Sequence, residues 1–253
     1  MQKYNDKLQE SYILATNFIK EENVIGIQKE KILHKTLKYF ICSDESKHEV
    51  KIKKSNSGIL YADVYDNEMI YEIQTRGFDK LRDKLSEFLT ENKVTIVHPI
   101  ANKKNIYKVY ETGEIIGPIK SPKTGKVYEV FKELYKIKTY LNNPNFKLKI
   151  FLIDMDEYRY FVEKKHARSS GYIREKQIPK HIYRIYDFNN KSDYISLLKE
   201  LNLEENFTSL DLKKASKINK TLSTVTLNIL THLEVVERIG KKGNNYIYQI
   251  KKD

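Results

Sequence analysis

The chain has 253 residues, enough for one large domain or a main domain with a small satellite, and its 40% hydrophobic and 32% charged residues suit a globular protein with a core. Lys and Arg total 46 against 34 Asp and Glu, and the resulting net charge of +12 favours a polyanionic partner, nucleic acid above all. The single cysteine, Cys42, excludes an intramolecular disulfide and a cysteine zinc site, no apolar run approaches a membrane span, and the first residues do not open a signal peptide, so the expectation is a cytoplasmic protein without a membrane partner.

In chain order, Leu8, Tyr12, Ala15 and Ile19 predict a helix over 6–20, and Ile32, Leu33, Leu37, Phe40 and Ile41 predict a second over 28–41. Residues 48–53 alternate as a strand, Ser55-Asn56-Ser57-Gly58 marks a turn, and 59–65 with 71–75 read as a hairpin. Phe78, Leu81, Leu85, Phe88 and Leu89 form a helix face. Val94 to Val97 follows as a short buried strand, halted by Pro99 and parallel to its neighbour because a helix separates them.

Beyond Lys103 the pattern predicts a hairpin around Thr112-Gly113, a helix over 127–141 and a strand over 147–154, with basic loops at 121–126 and 164–171. The last fifty residues read as a helix over 194–201, a second starting near Phe207 with Thr208 or Ser209 as cap, a third over 220–233, and a hairpin of 235–239 with 246–250. Three helices and a basic-tipped hairpin have the shape of a winged helix. The fold class is α/β, divided into an N-terminal helical segment (1–27), a core (28–150), an extension (151–202) and the winged helix (203–253).

The hairpin carries the chemistry. If its turn is Asp66-Asn67, Tyr65 pairs with Glu68, Asp63 with Ile70 and Tyr61 with Glu72, which makes Asp63 and Glu72 diagonal neighbours on one face. Their Cβ atoms then lie about 6–8 Å apart, within reach of one cation. Gln74 shares the face of Glu72 because side chains alternate along a strand. Glu30 and His34, four residues apart on the preceding helix, and Lys38 one turn further could join them, a solvated helix face being the alternative. Arg76 and Lys80 could add positive charge, whereas Lys84 reads as an outer-face residue and His98 as structural.

Helix, hairpin, helix and strand in this order, with Asp63 followed by Glu72-Ile73-Gln74, resembles the core of the PD-(D/E)XK, or restriction-endonuclease-like, nuclease superfamily in its Glu-x-Gln form. Gln74 stands where the commonest form has lysine. The resemblance implies an αβββαβ core, Mg²⁺ (or Mn²⁺) held by Asp63 and Glu72 with Glu30 as auxiliary ligand, and hydrolysis of DNA phosphodiesters. Gln74 would orient water without acting as a base. A nuclease core followed by a winged helix also resembles restriction enzymes and the endonuclease subunit of some heteromeric transposases.

In a winged helix the third helix enters the major groove while the hairpin grips backbone. Candidate DNA contacts are therefore Lys213, Lys214, Lys217, Lys220, Thr221, Ser223 and Thr224, with Lys241, Lys242 and Asn244 at the hairpin tip. The expectation is a metal-dependent endonuclease, with a homodimer and a protein partner as further partners. The rival is a non-catalytic DNA-binding regulator on a degenerate nuclease fold, which the missing motif lysine keeps open.

Overall fold

The computed structural model describes residues 1–21, 32–54, 58–67, 69–162 and 171–251. The chain opens with α1 (Gln2–Glu21) and α2 (Ile32–Ile41), then β1 (His48–Lys53), β2 (Ile59–Asp66), β3 (Met69–Ile73), α3 (Arg82–Glu91) and β4 (Lys93–Val109). It continues through β5 (Ile115–Lys120), α4 (Phe131–Lys136), β6 (Phe146–Val162), β7 (Gly171–Phe188) and α5 (Lys191–Lys199). It closes with β8 (Asn206–Thr208), α6 (Ser209–Ser216), α7 (Lys220–His232), β9 (Val236–Lys242) and β10 (Asn245–Ile250).

The main sheet has strand order β1-β2-β3-β4-β6-β7, with β5 on the far half of β4. β1, β2 and β3 form an antiparallel meander, β3–β4 and β4–β6 are parallel, and β6–β7 is antiparallel. This is a mixed α/β architecture with two cores, one on each face. Leu8 of α1 and Leu33, Leu37 and Phe40 of α2 pack on Val64, Ile73, Val97 and Phe151. On the opposite face Leu85, Phe88, Phe131 and Leu134 cover Ile70, Val94, Ile96 and Ile150, and this core runs on into Phe207, Leu212, Leu227 and Leu230. The second cluster therefore joins the C-terminal helices to the sheet through continuous apolar burial, the main favourable term in such packing. Among the described residues no helix is long and apolar enough to cross a membrane.

Three expectations need correction. β4 does not stop at Pro99 but runs to Val109. Gln74 N donates to Val97 O at 2.9 Å, so residue 97 faces β3, and Pro99, two residues on, faces the same side where β3 has already ended. A missing N–H costs nothing there. The stretch 127–141 is not one helix but a 3₁₀ turn over 127–130, α4, and a 3₁₀ turn over 138–140. Ile137, at φ −120° and ψ 24°, breaks the helix while remaining fully buried. Finally, the strand expected over 147–154 extends to Val162 and pairs along its length with β7, so a boundary at 150 falls inside a strand of the main sheet. Residues 164–170 of the expected basic loop lie outside the described residues.

The C-terminal segment follows its sequence signals closely. Thr208 caps α6 and forms a reciprocal capping box with Asp211, Asn219 caps α7, and β10 lies between β8 and β9 in a three-stranded sheet.

Candidate active site

The β2–β3 hairpin places Asp66 opposite Met69, Tyr65 opposite Ile70 and Val64 opposite Tyr71. Asp66 therefore belongs to the ladder, and the turn is not Asp66-Asn67. Asn67 takes the left-handed conformation (φ 48°) that asparagine tolerates in such turns, while Asp66 stays in the ladder and pairs with Lys47. The correction shifts the register by two residues, an even number, so the faces are kept and Asp63 comes opposite Glu72 instead of Ile70.

The ladder changes character at this point. Ile73 N donates to Asp63 Oδ2 at 2.7 Å, and Asp63 N donates to Glu72 Oε1 at 3.3 Å, so two carboxylates take the place of backbone carbonyls between the strands. His34 Nε2, from α2, stands 3.2 Å from Asp63 Oδ2. Lys84 Nζ, from α3, donates to Glu72 Oε2 at 2.8 Å. Each carboxylate thus has one basic group, drawn from opposite sides of the sheet.

Glu72 is 2% exposed. Burial, and then the charge of Asp63, push its carboxyl up to about 8, against the opposing pull of Lys84. For Asp63 burial acts upward too, but the hydrogen bond and charge of His34, the charge of Lys84 and the Ile73 amide outweigh it and leave the group below its ordinary value. Burial and mutual repulsion thus disfavour two negative charges side by side, a repulsion that a bound cation would relieve. Among the described residues no group of three or more His, Cys, Asp and Glu side chains is gathered as a metal cage. Two carboxylates are the donor set that Mg²⁺ takes, since it keeps several waters and binds one or two protein carboxylates. Their oxygens are here engaged by Ile73 N, Asp63 N, His34 and Lys84, which an incoming ion would have to displace.

The other candidates divide. Glu30 lies outside the described residues. Gln74 does not offer its amide to the site, because Nε2 donates to the carbonyls of Arg76 at 2.6 Å and Gly77 at 3.2 Å and so fixes the turn after β3. Lys38 is buried at 3% exposure and pairs with Glu49 of β1. Arg76 and Lys80 are exposed. Lys84, expected on the outer face, is the lysine that reaches Glu72; the signal was its place at the flank of the buried stripe, three residues after Leu81 and four before Phe88. His98 is buried with Nδ1 2.6 Å from the carbonyl of Gln74.

Of the expected DNA contacts, Lys213, Lys214, Lys217, Lys220, Thr221, Thr224, Lys241, Lys242 and Asn244 are exposed. Ser223 is not: it is fully buried and its Oγ donates to Lys220 O at 2.8 Å, because it shares the inward face of α7 with Leu222, Thr226 and Leu230. The α6–α7 turn is tied to the main body by Lys126, whose Nζ donates to Ser216 O at 2.9 Å and to the carbonyl of Lys217. Lys138 Nζ donates to Asn228 Oδ1 at 2.9 Å and holds the flank of α7 in the same way.

No solved structure matches the chain. A protein of Treponema pallidum (strain Nichols) described as "Uncharacterized protein" is 27% identical over 145 residues, 57% of this chain and 55% of that protein, so the chain spans about half the length of this relative. The profile described as "Domain of unknown function (DUF8091)" matches residues 31–189, from the start of α2 through β7 and with Asp63, Glu72 and Lys84 inside it. The chain belongs to the DUF8091 family.

Proposed function

We propose that the protein is a metal-dependent endonuclease of the PD-(D/E)XK type that acts on DNA, with a winged helix formed by β8 to β10 binding the target. The observation that carries this reading is the opposed pair Asp63 and Glu72, partly and fully buried between adjacent strands, where burial and mutual repulsion hold the Glu72 carboxyl high despite Lys84. The order α2-β1-β2-β3-α3-β4, with its meander and parallel fourth strand, supports it.

Asp63 and Glu72 would hold Mg²⁺ or Mn²⁺, with Glu30 as the expected auxiliary ligand. The bound ion would lower the pKa of a water and neutralise charge on the phosphate. His34 keeps Asp63 ionised and oriented. Lys84 supplies beside Glu72 the positive charge that Gln74 cannot. The exposed start of α7, with Lys220, Thr221 and Thr224, and the tip with Lys241, Lys242 and Asn244 would take phosphates, an attraction that weakens with salt. Cutting both strands needs two such sites, hence a homodimer on DNA, read by light scattering.

The test is incubation of the purified chain with supercoiled plasmid and with single-stranded DNA in Mg²⁺ or Mn²⁺, beside Asp63→Ala and Glu72→Ala. Cleavage lost in both variants supports the reading, and equal nicking by the variants sinks it. A DNA-binding regulator without cleavage is the second reading, favoured by the commitment of the Gln74 amide to its own turn. DNA bound but uncut under every metal would select it.

A further inference from the structure

Next to the carboxylates, and not including them, lies a cleft of about 820 Å³ between β4 and the α6–α7 turn. That size suits a compact ligand. Arg76, Lys132 and Lys217 stand around it, exposed, and among the described residues their cationic groups have no protein partner. Ile100, Met155 and Leu222 give it apolar lining. A ligand matching both features carries anionic charge on a body with an apolar face.

His98 adds direction. It lines the cleft, is only 6% exposed, and is held edge-on to Phe78 with ring centroids 5.1 Å apart. The Gln74 carbonyl 2.6 Å from Nδ1 can only accept, so Nδ1 carries the proton and Nε2 keeps a lone pair in the neutral ring. Among the described residues nothing pairs with Nε2, yet it is not sealed from solvent. Glu129 and Glu133 also line the cleft, committed to ion pairs with Lys123 and Lys136 respectively, so the unpaired charge at the rim is positive. A buried acceptor open to it calls for a ligand donor.

We propose that this cleft binds a nucleotide, free or as one unit of a single strand, with Arg76, Lys132 and Lys217 on the phosphate and His98 Nε2 accepting from an N–H or O–H of the ligand. The inference uses no metal chemistry and is tested in EDTA, so it can fail while the nuclease reading stands, and the reverse.

The full chain is titrated with fluorescein-labelled deca-deoxythymidylate by anisotropy and with ATP by calorimetry. The combined variant Arg76→Ala, Lys132→Ala, Lys217→Ala should weaken binding of whichever probe binds by at least about tenfold. Lys3→Ala, Lys51→Ala and Lys199→Ala together remove equal charge from exposed positions elsewhere and should change it by less than about threefold. His98→Asn, which keeps a donor for Gln74 and deletes Nε2, should weaken binding about threefold to tenfold, and the wild-type imidazole nitrogen resonances should move at saturation. Displacement of the strand by ATP assigns the cleft to free nucleotides, and a strand that ATP cannot displace assigns it to nucleic acid. Neither probe binding, equal losses in the two triple variants, or unmoved His98 signals would overturn the proposal.

Discussion

Glu72 and Glu157 are hidden to the same degree, 2% and 1% exposed, in the same sheet, and their surroundings push them in opposite directions. Glu157 on β6 accepts from Lys104 Nζ at 3.1 Å, from Arg159 Nε at 2.8 Å and Nη2 at 2.6 Å, and from Gln177 Nε2 at 3.2 Å. Burial raises its carboxyl, but Arg159 and Lys104 outweigh burial and leave it below its ordinary value. Glu72 has one lysine and faces a second carboxylate, and it rises to about 8. Burial alone therefore does not distinguish a site from a structural anchor; the balance of countercharge does.

That contrast can be broken at several points. The largest effect is on cleavage: Asp63→Ala or Glu72→Ala should lower plasmid cleavage by about 10³-fold, while Glu157→Gln, compared per folded molecule, should leave the rate within about twofold. Loss of cleavage in Glu157→Gln at full folding would erase the distinction. In stability the order reverses. Glu157→Ala strands Lys104 and Arg159 and should cost about 3–5 kcal/mol in urea unfolding.

The pH dependence has a definite sign. Glu72 has a folded pKa of about 8 against an ordinary 4.5, so its contribution to stability is complete below 4.5 and is lost as pH rises through 8. The slope should approach about 1.4 kcal/mol per pH unit in that window, and Glu72→Gln should flatten it in denaturant melts at stepped pH. Because buried His98, lowered from its ordinary 6.5, contributes a slope of opposite sign below that pH, the diagnostic is the difference between the two proteins. Identical slopes in wild type and Glu72→Gln would mean the carboxylates do not oppose one another. Lys84→Ala should reduce cleavage about 10-fold to 100-fold, with Lys80→Ala as the unaffected neighbour; equal effects would return Lys84 to a surface role. Smallest, Lys241→Ala should weaken duplex binding uniformly across sequences and lower the salt slope by about one, read by anisotropy at several ionic strengths.

What could be read in advance followed local rules. Thr208, one of the two cap candidates with Ser209, marked the start of α6, the apolar stripes of α2, α3 and α7 placed three helices, and the even parity of the hairpin brought Asp63 and Glu72 together although the turn itself was displaced. The misses depend on partners distant in sequence. Whether Pro99 ends a strand is decided by where β3 stops, and whether Lys84 is solvated is decided by a carboxylate twelve residues earlier on another element. β7 escaped because Pro179 interrupts its alternation, and the pairing absorbs this with a register shift between Asp154 and Met155. Ser223 looked like a base-reading group by chemistry, and only the packing of α7 shows that it faces inward.

The ammonium of Lys126 sits on the two carbonyls that α6 leaves open at its end, an arrangement in which a foreign side chain finishes a helix that its own sequence does not. A lysine before α4 thereby joins Lys138 and the shared apolar core in holding the last fifty residues against the first two hundred, and it does so at the turn between two helices. Acetylation of that amine would remove this tie and leave the junction to the apolar core and to Lys138, expected as faster amide exchange confined to the α6–α7 turn.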